Sequence, residues 1–298
     1  MNTKFNLMVV HAHPDDESIG TGGILAKYSA QGATTVLVYG TRGEVGEILN
    51  PDFVPPSPGM QIKDIRAREL RKAVKALGVK SVYYLGYRDS GMPGSPENHH
   101  PQAFAKADMK EATRRLVNII RRVHPNVIVT YNEKGFYGHP DHIMANKVTR
   151  QAFHSAGDPE FEGGKGLNPW LPTKLYYIAV PLARLRMMYR LALERGEELS
   201  LDPEALGTPE DEITTIIDVR EYVPQKWQAL NCHQSQIGPD SFFRRLPKEW
   251  RDEALGYEYF VCVNGCNVSD HKERELFEGL RTGDRTGESN RDAAPSKN

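Results

Sequence analysis

His13-Pro14-Asp15-Asp16-Glu17 and, more than a hundred residues later, His139-Pro140-Asp141-His142 are the two places where metal-binding and proton-moving side chains cluster. In each cluster two ligand-type side chains stand three residues apart: His13 with Asp16, and His139 with His142. A catalytic zinc site takes three protein ligands from His, Asp or Glu and keeps one position open. His13 and Asp16 offer two from a single tight turn, in which Pro14 restricts the backbone of His13. His142 offers the third. Asp15 then stands beside the open position, where a carboxylate can take a proton from water. His139 and Asp141 remain as a candidate acid or oxyanion stabiliser and its orienting partner. An imidazole so placed is expected to titrate near or above neutrality. The chemistry these residues suit is metal-dependent hydrolysis.

Each residue also has a plainer reading. Asp16 and Glu17, or Asp141, can serve simply to favour the start of a helix. His11, at the end of an apolar run, reads as a core histidine or one that supports a ligand from behind. One His-Pro-Asp-Asp segment alone leaves the matter open, whereas two clusters at neighbouring strand ends favour the metal hydrolase.

The elements that must position these clusters follow from periodicity. Residues 5–12 read as a strand, 18–31 as a helix ended by Gly32, 34–39 as a strand, and 61–77 as a strongly amphipathic helix. Residues 81–85 and 126–131 read as further strands, 110–123 and 140–155 as helices, and 86–107 as a long loop. Strands at 174–180, 213–219 and 257–263 and helices at 182–194 and 220–232 complete the pattern, with 157–169 an insertion loop. Strand–helix alternation implies an α/β fold: a Rossmann-like, mostly parallel sheet with helices on both faces, in one domain with C-terminal additions. Ligands bind at the C-terminal ends of such strands. The His13 cluster, the Glu44/Glu47 loop, Arg88-Asp89 and the His139 cluster all follow strands, so they share one rim. The domain spans 1–278. Residues 279–298 are nearly free of apolar side chains and read as a disordered tail.

Composition narrows the class. The chain has 298 residues, 39% hydrophobic and 26% charged, with 38 basic against 39 acidic side chains. No basic block invites nucleic acid, and no apolar stretch is long enough to span a bilayer. No signal-peptide cleavage site precedes His13. Three cysteines are too few for a disulfide framework, and their odd number suits a reducing cytoplasm. Cys262 and Cys266 read as a strand cysteine and a turn cysteine, not as a metal or redox pair. Gly20–Gly23 lacks the spacing of a dinucleotide loop and reads as close helix–sheet packing.

Ala12–Glu17, Gly22-Gly23 and the Gly-x-x-His-Pro-Asp-His run Gly135–His142 resemble the LmbE/PIG-L family of zinc-dependent N-deacetylases. The similarity covers at least residues 5–155. Gly43–Pro51, Arg88–Met92 and His233–Gln236 are similar to the mycothiol branch of that family, which holds both GlcNAc-inositol deacetylases and mycothiol S-conjugate amidases. Residues 47–51 and the overall length are more similar to the amidases. The resemblance implies zinc, with iron(II) an alternative, on His13, Asp16 and His142. It implies Asp15 as general base, and His139 oriented by Asp141 as oxyanion stabiliser or acid. Tyr137 matches a tyrosine that turns toward the substrate carbonyl. Arg68 becomes a candidate substrate residue on resemblance, and Arg88 and Asp89 on their place at a strand end.

The resulting expectation is a cytoplasmic amidohydrolase acting on a small N-acylated amino sugar or glycoconjugate, with its oligomeric state open. The alternatives are a thiol-conjugate amidase and, from another class, a sugar- or nucleotide-binding module with a vestigial metal site.

Overall fold

The alternating apolar residues of the first strand set the layout. Met8 and Val10 face one side of the sheet and Leu7 and Val9 the other, and all four are fully buried. The computed structural model describes residues 5–280 apart from 165, 195, 197–201, 240, 246–247 and 267–270. The strands are β1 (Asn6–His11), β2 (Thr34–Tyr39), β3 (Ser81–Tyr84), β4 (Val127–Thr130), β5 (Lys174–Ala179), β6 (Thr215–Asp218) and β7 (Tyr257–Asn264). They form one sheet in the order β3-β2-β1-β4-β5-β7-β6. The pairings from β3 to β5 are parallel, and β7 is antiparallel to both β5 and β6.

Helices cover both faces. They are α1 (Asp16–Gly20), α2 (Gly22–Ala30), α3 (Ile62–Ala76), α4 (Met109–Val123), α5 (Gly135–Gly138), α6 (Pro140–Ser155), α7 (Leu182–Glu194), α8 (Pro203–Leu206), α9 (Val223–Cys232), α10 (Phe242–Arg245) and α11 (Lys248–Leu255). Leu116 and Ile120 of α4 and Ala145 and Val148 of α6 pack with Met8, Val10 and Ile128 on one face. On the other, Ile24 and Leu25 of α2, Leu70 and Ala73 of α3 and Ala229 of α9 pack with Leu7, Val9 and Val129.

Several expectations need revision. The helix expected over 18–31 is two helices broken at Thr21, whose hydroxyl donates to the Glu17 carbonyl (3.1 Å) and lies 2.9 Å from His11 Nε2. The segment from Arg220 opens as a single 3-10 turn before α9 begins. The short helices α5, α8, α10 and α11 had no periodic signal. Close packing at Gly20–Gly23 is seen at Gly23, where a Cβ would lie 2.5 Å from Val219 Cγ2. Cys262 and Cys266 are joined in a disulfide, against the reading of them as unpaired. The Asn264-Gly265 turn, with Gly265 at φ +76, brings their Cα atoms to 6.1 Å. Of the expected tail, Gly279 and Leu280 are described, and Leu280 packs on the second core; the rest lies outside the described residues. Among the described residues no helix is long and apolar enough to cross a membrane.

Candidate active site

β1 and β4 are hydrogen-bonded neighbours, so the loops leaving their C-terminal ends meet. His13–Glu17 come from the first loop and His139–His142 from the second, through α5. Asp89-Ser90, after β3, complete the crevice.

His13 is its hub. Its Nε2 lies 3.1 Å from Asp141 Oδ2 and 3.5 Å from Asp89 Oδ1, and its Nδ1 lies 3.6 Å from Asp16 Oδ2. An ionised carboxylate only accepts, so Nε2 is the donor toward Asp141, and Nδ1 is the nitrogen whose lone pair a metal would use once the ring gives up its other proton. Burial disfavours charge on His13, yet the bonds to Asp141, Asp16 and Asp89 outweigh it and raise its pKa well above the ordinary value. Asp141 is locked in turn by the backbone N–H (2.9 Å) and hydroxyl of Ser90.

Asp16 Oδ2 accepts from the His13 N–H (2.9 Å) and the Tyr131 hydroxyl (2.6 Å), while its Oδ1 lies 3.5 Å from His142 Nε2. Despite burial, His142 and His13 hold the Asp16 carboxyl well below its usual pKa. The His142 ring stacks on Tyr131 with centroids 4.1 Å apart, and neither of its buried nitrogens has a hydrogen-bond partner. Burial lowers the His142 pKa to about 3.

His139 differs. Its Nδ1 accepts the Asp141 backbone N–H (3.1 Å) at the start of α6, so Nε2 carries the proton. Burial, reinforced by His13, lowers its pKa to about 4. The expectation that it titrates near or above neutrality is therefore corrected. So is its partner: the Asp141 carboxylate faces His13 and Ser90, and it is the Asp141 backbone that orients His139.

Asp15 adopts φ +105 and ψ −32, a strained conformation for a non-glycine residue that costs on the order of 1–3 kcal/mol. Its Oδ2 lies 3.3 Å from Arg66 Nη2. Burial raises the Asp15 pKa to about 6 against the opposing pull of Arg66. Tyr137 stands half-exposed at the rim, its ring centroid 5.0 Å from His142 and 6.0 Å from His139.

The substrate candidates fare unevenly. Arg68 is exposed on α3, where it lines a surface hollow with Ser57, Asp64 and Arg71. Arg88 pairs with Glu97 (2.8 Å) in the following loop. Asp89 is in the crevice, but its oxygens engage His13 and the Gly91 N–H (2.8 Å). Sequence reasoning missed Arg66, Ser90, Tyr131, the buried role of Glu17 and that of His233. Arg66 was findable: it lies four residues from both Ile62 and Leu70, on the buried stripe of α3.

Three imidazoles and four carboxylates in one buried crevice suit a cation. Ligand atoms of His13, His139 and His142 lie within 4.8 Å of one another, as do those of His13, Asp89 and Asp141. Asp16 reaches His13 and His142 through different oxygens. The orphaned nitrogens of His142 and the second N–H of His13 held on a carboxylate are the marks of metal-ligating histidines.

The family model described as GlcNAc-PI de-N-acetylase (PIG-L) matches residues 8–153. A 1D-myo-inositol 2-acetamido-2-deoxy-alpha-D-glucopyranoside deacetylase from Thermomonospora curvata is 42% identical over 294 residues, covering 94% of this chain and 98% of that protein. Among solved structures, N,N'-diacetylchitobiose deacetylase from Pyrococcus horikoshii shares the fold with TM-score 0.59 and 20% identity, over 87% of this chain and 84% of that one. The 4-carboxy-2-hydroxymuconate hydratase of Pseudomonas putida shares it with TM-score 0.57 and 20% identity, over 89% and 99%. One fold thus carries hydrolytic and hydratase chemistry, and the reaction must be argued from the site.

Proposed function

Because this chain belongs to the PIG-L family of GlcNAc-PI de-N-acetylases, we propose that it hydrolyses the acetamido group of a GlcNAc-inositol, releasing acetate and the free amine. The observation that carries this reading is the 42% identity to a deacetylase of that substrate across nearly the whole of both chains.

His13 through Nδ1, Asp16 through Oδ1 and His142 through Nε2 would hold zinc, with iron(II) as the alternative, and the ion would supply Lewis acidity at the acyl carbonyl. His139 is less suited to that set because its Nδ1 is already bonded and its Nε2 is protonated. Asp15 takes a proton from the attacking water; a carboxyl with pKa about 6 is ionised at neutral pH and still basic enough for the task. The Nε2–H of His139 and the Tyr137 hydroxyl donate to the oxyanion as it develops. The proton that Asp15 took from the water then passes to the departing amine, while the neutral His139 keeps its Nε2–H on the oxyanion. Arg66 holds the Asp15 carboxylate and Asp141 holds His13.

A release assay with zinc-loaded protein tests the reading on GlcNAc, GlcNAc-inositol, N,N'-diacetylchitobiose and a bimane thiol conjugate of the same amino sugar. Free amine and acetate in equal amounts, fastest from GlcNAc-inositol, is the expected result. Preference for the thiol conjugate would make the protein an amidase. No turnover, together with no affinity for divalent metal, would leave a sugar-binding module.

A further inference from the structure

Glu17 is a fully buried carboxylate that the chemistry above does not use. It accepts four hydrogen bonds. Oε2 takes the backbone N–H of Asp15 (2.9 Å) and the hydroxyl of Tyr39 (2.7 Å). Oε1 takes the hydroxyl of Ser18 (2.6 Å) and Nε2 of His233 (2.7 Å). Tyr39 closes β2, and His233 follows the last residue of α9, so two distant elements fix the carboxylate that fixes Asp15. The bonded Asp15 amide is in the residue at φ +105, and such a conformation persists only where its surroundings over-determine it. A buried charged acceptor gives a stronger hold than a neutral one.

His233 also opens a turn that reaches the rim. Its carbonyl accepts the N–H groups of Gln236 (3.0 Å) and Ile237 (2.8 Å). Within this turn Ser235 O accepts the Leu49 N–H (2.8 Å), Gln234 O accepts from Asn50 Nδ2 (3.0 Å), and Gln236 Nε2 donates to Glu47 O (2.9 Å). One turn therefore holds the 47–50 loop on one side and, through Glu17, the backbone of Asp15 on the other.

We infer that Glu17, held by His233 and Tyr39, is a positioning residue that keeps the strained backbone of Asp15 in its working conformation. The inference rests on the reading of Asp15 as the base. Glu17 touches no reacting atom, so its loss must appear in turnover and not in substrate affinity. Misplacing a catalytic group by about 1 Å costs roughly 10²-fold in rate. Glutamine at this position should rescue: its carbonyl oxygen accepts from Asp15 and Tyr39, its amide donates to His233 in the other tautomer, and the Ser18 hydroxyl turns from donor to acceptor of the second amide hydrogen. That tautomer change breaks no bond, because His233 Nδ1 has no partner.

The test compares Glu17→Ala, Glu17→Gln and Tyr39→Phe in the zinc-loaded enzyme. Metal content, kcat and KM on GlcNAc-inositol, and amide hydrogen exchange of the 13–18 segment are the readouts. In Glu17→Ala, kcat should fall by about 10²-fold with KM and zinc stoichiometry unchanged, and exchange at the Asp15 amide should accelerate. Glu17→Gln should recover most of the kcat and the protection. Tyr39→Phe, which keeps the side-chain volume, should show the same signs in smaller measure and serves if alanine prevents folding. Native kcat with only a lowered melting temperature would make Glu17 a packing residue and overturn the inference, as would loss of zinc. If the parent enzyme hydrolyses none of the sugars, the functional reading fails separately. Unchanged exchange at Asp15 in Glu17→Ala would then refute the positioning role on its own.

Discussion

His139 accepts a backbone hydrogen bond at Nδ1, whereas neither ring nitrogen of His142 has a hydrogen-bond partner. On that difference rests the proposal that the second holds the metal and the first hydrogen-bonds the oxyanion. His142→Ala should lose its divalent metal, measured as zinc per chain after dialysis, and with it all turnover. His139→Ala should keep the metal and lose kcat, with KM little changed; retention of zinc by His142→Ala would exchange the two roles. Asp15→Ala should keep its metal and lose about 10²–10⁴-fold in turnover. The base works when ionised, so activity should rise with pH through an apparent pKa at or below about 6, because a dication beside Asp15 moves it only downward. His139 stays neutral above about pH 4, so its removal should leave the shape of the pH–rate profile unchanged. At this scale the sequence disclosed what is local. Two candidate ligands and a candidate base within four residues are a readable pattern, and so is the pair of His139 and His142. The burial of Arg66 could be read from its place on the α3 stripe, but Ser90 and Tyr131 reach the crevice from other elements, and their part depends on tertiary contacts that spacing does not encode.

The N-terminus of α2 shows what the same limit means for an element. The Gly23 and Ile24 N–H groups donate to the two oxygens of Glu258 (2.7 and 2.8 Å), a β7 residue that also pairs with buried Lys226 of α9 (2.6 Å). Glu258→Ala would leave a buried ammonium and two helix N–H groups unpartnered, and should cost about 3–5 kcal/mol in denaturant unfolding. Replacing both partners, as Lys226→Met with Glu258→Leu, should cost less than the single change; equal losses would place the effect in packing. Helices with strong stripes or clear punctuation, such as α6 behind Pro140 or α3 before Gly78, were readable to within a residue or so. The break at Thr21 was not, because the bonds that make it run to Glu17 and His11 and leave no mark on the hydrophobic period.

For the whole molecule, the parallel half of the sheet was legible because β-α-β alternation admits few topologies. The antiparallel placement of β7 between β5 and β6 was not, since apolar runs do not state direction. Nor was the disulfide, which depends on the turn between Cys262 and Cys266. Thiol titration under denaturing conditions should find one free cysteine, Cys232, before reduction and all three after it. Three thiols without reductant would mean that the pair is not joined in the isolated protein. The neighbouring of β1 and β4 has a further consequence. His13 leaves the ribosome early, but its partners at 139–142 follow after more than a hundred residues, and His233 later still. The nascent chain therefore cannot assemble the crevice piecemeal. A truncated product ending before the second cluster carries half of the proposed cation site, and one ending before His233 lacks the outer prop of Glu17. The proposed ligand set cannot be complete in a growing chain until His142 has been made, about half-way along its 298 residues.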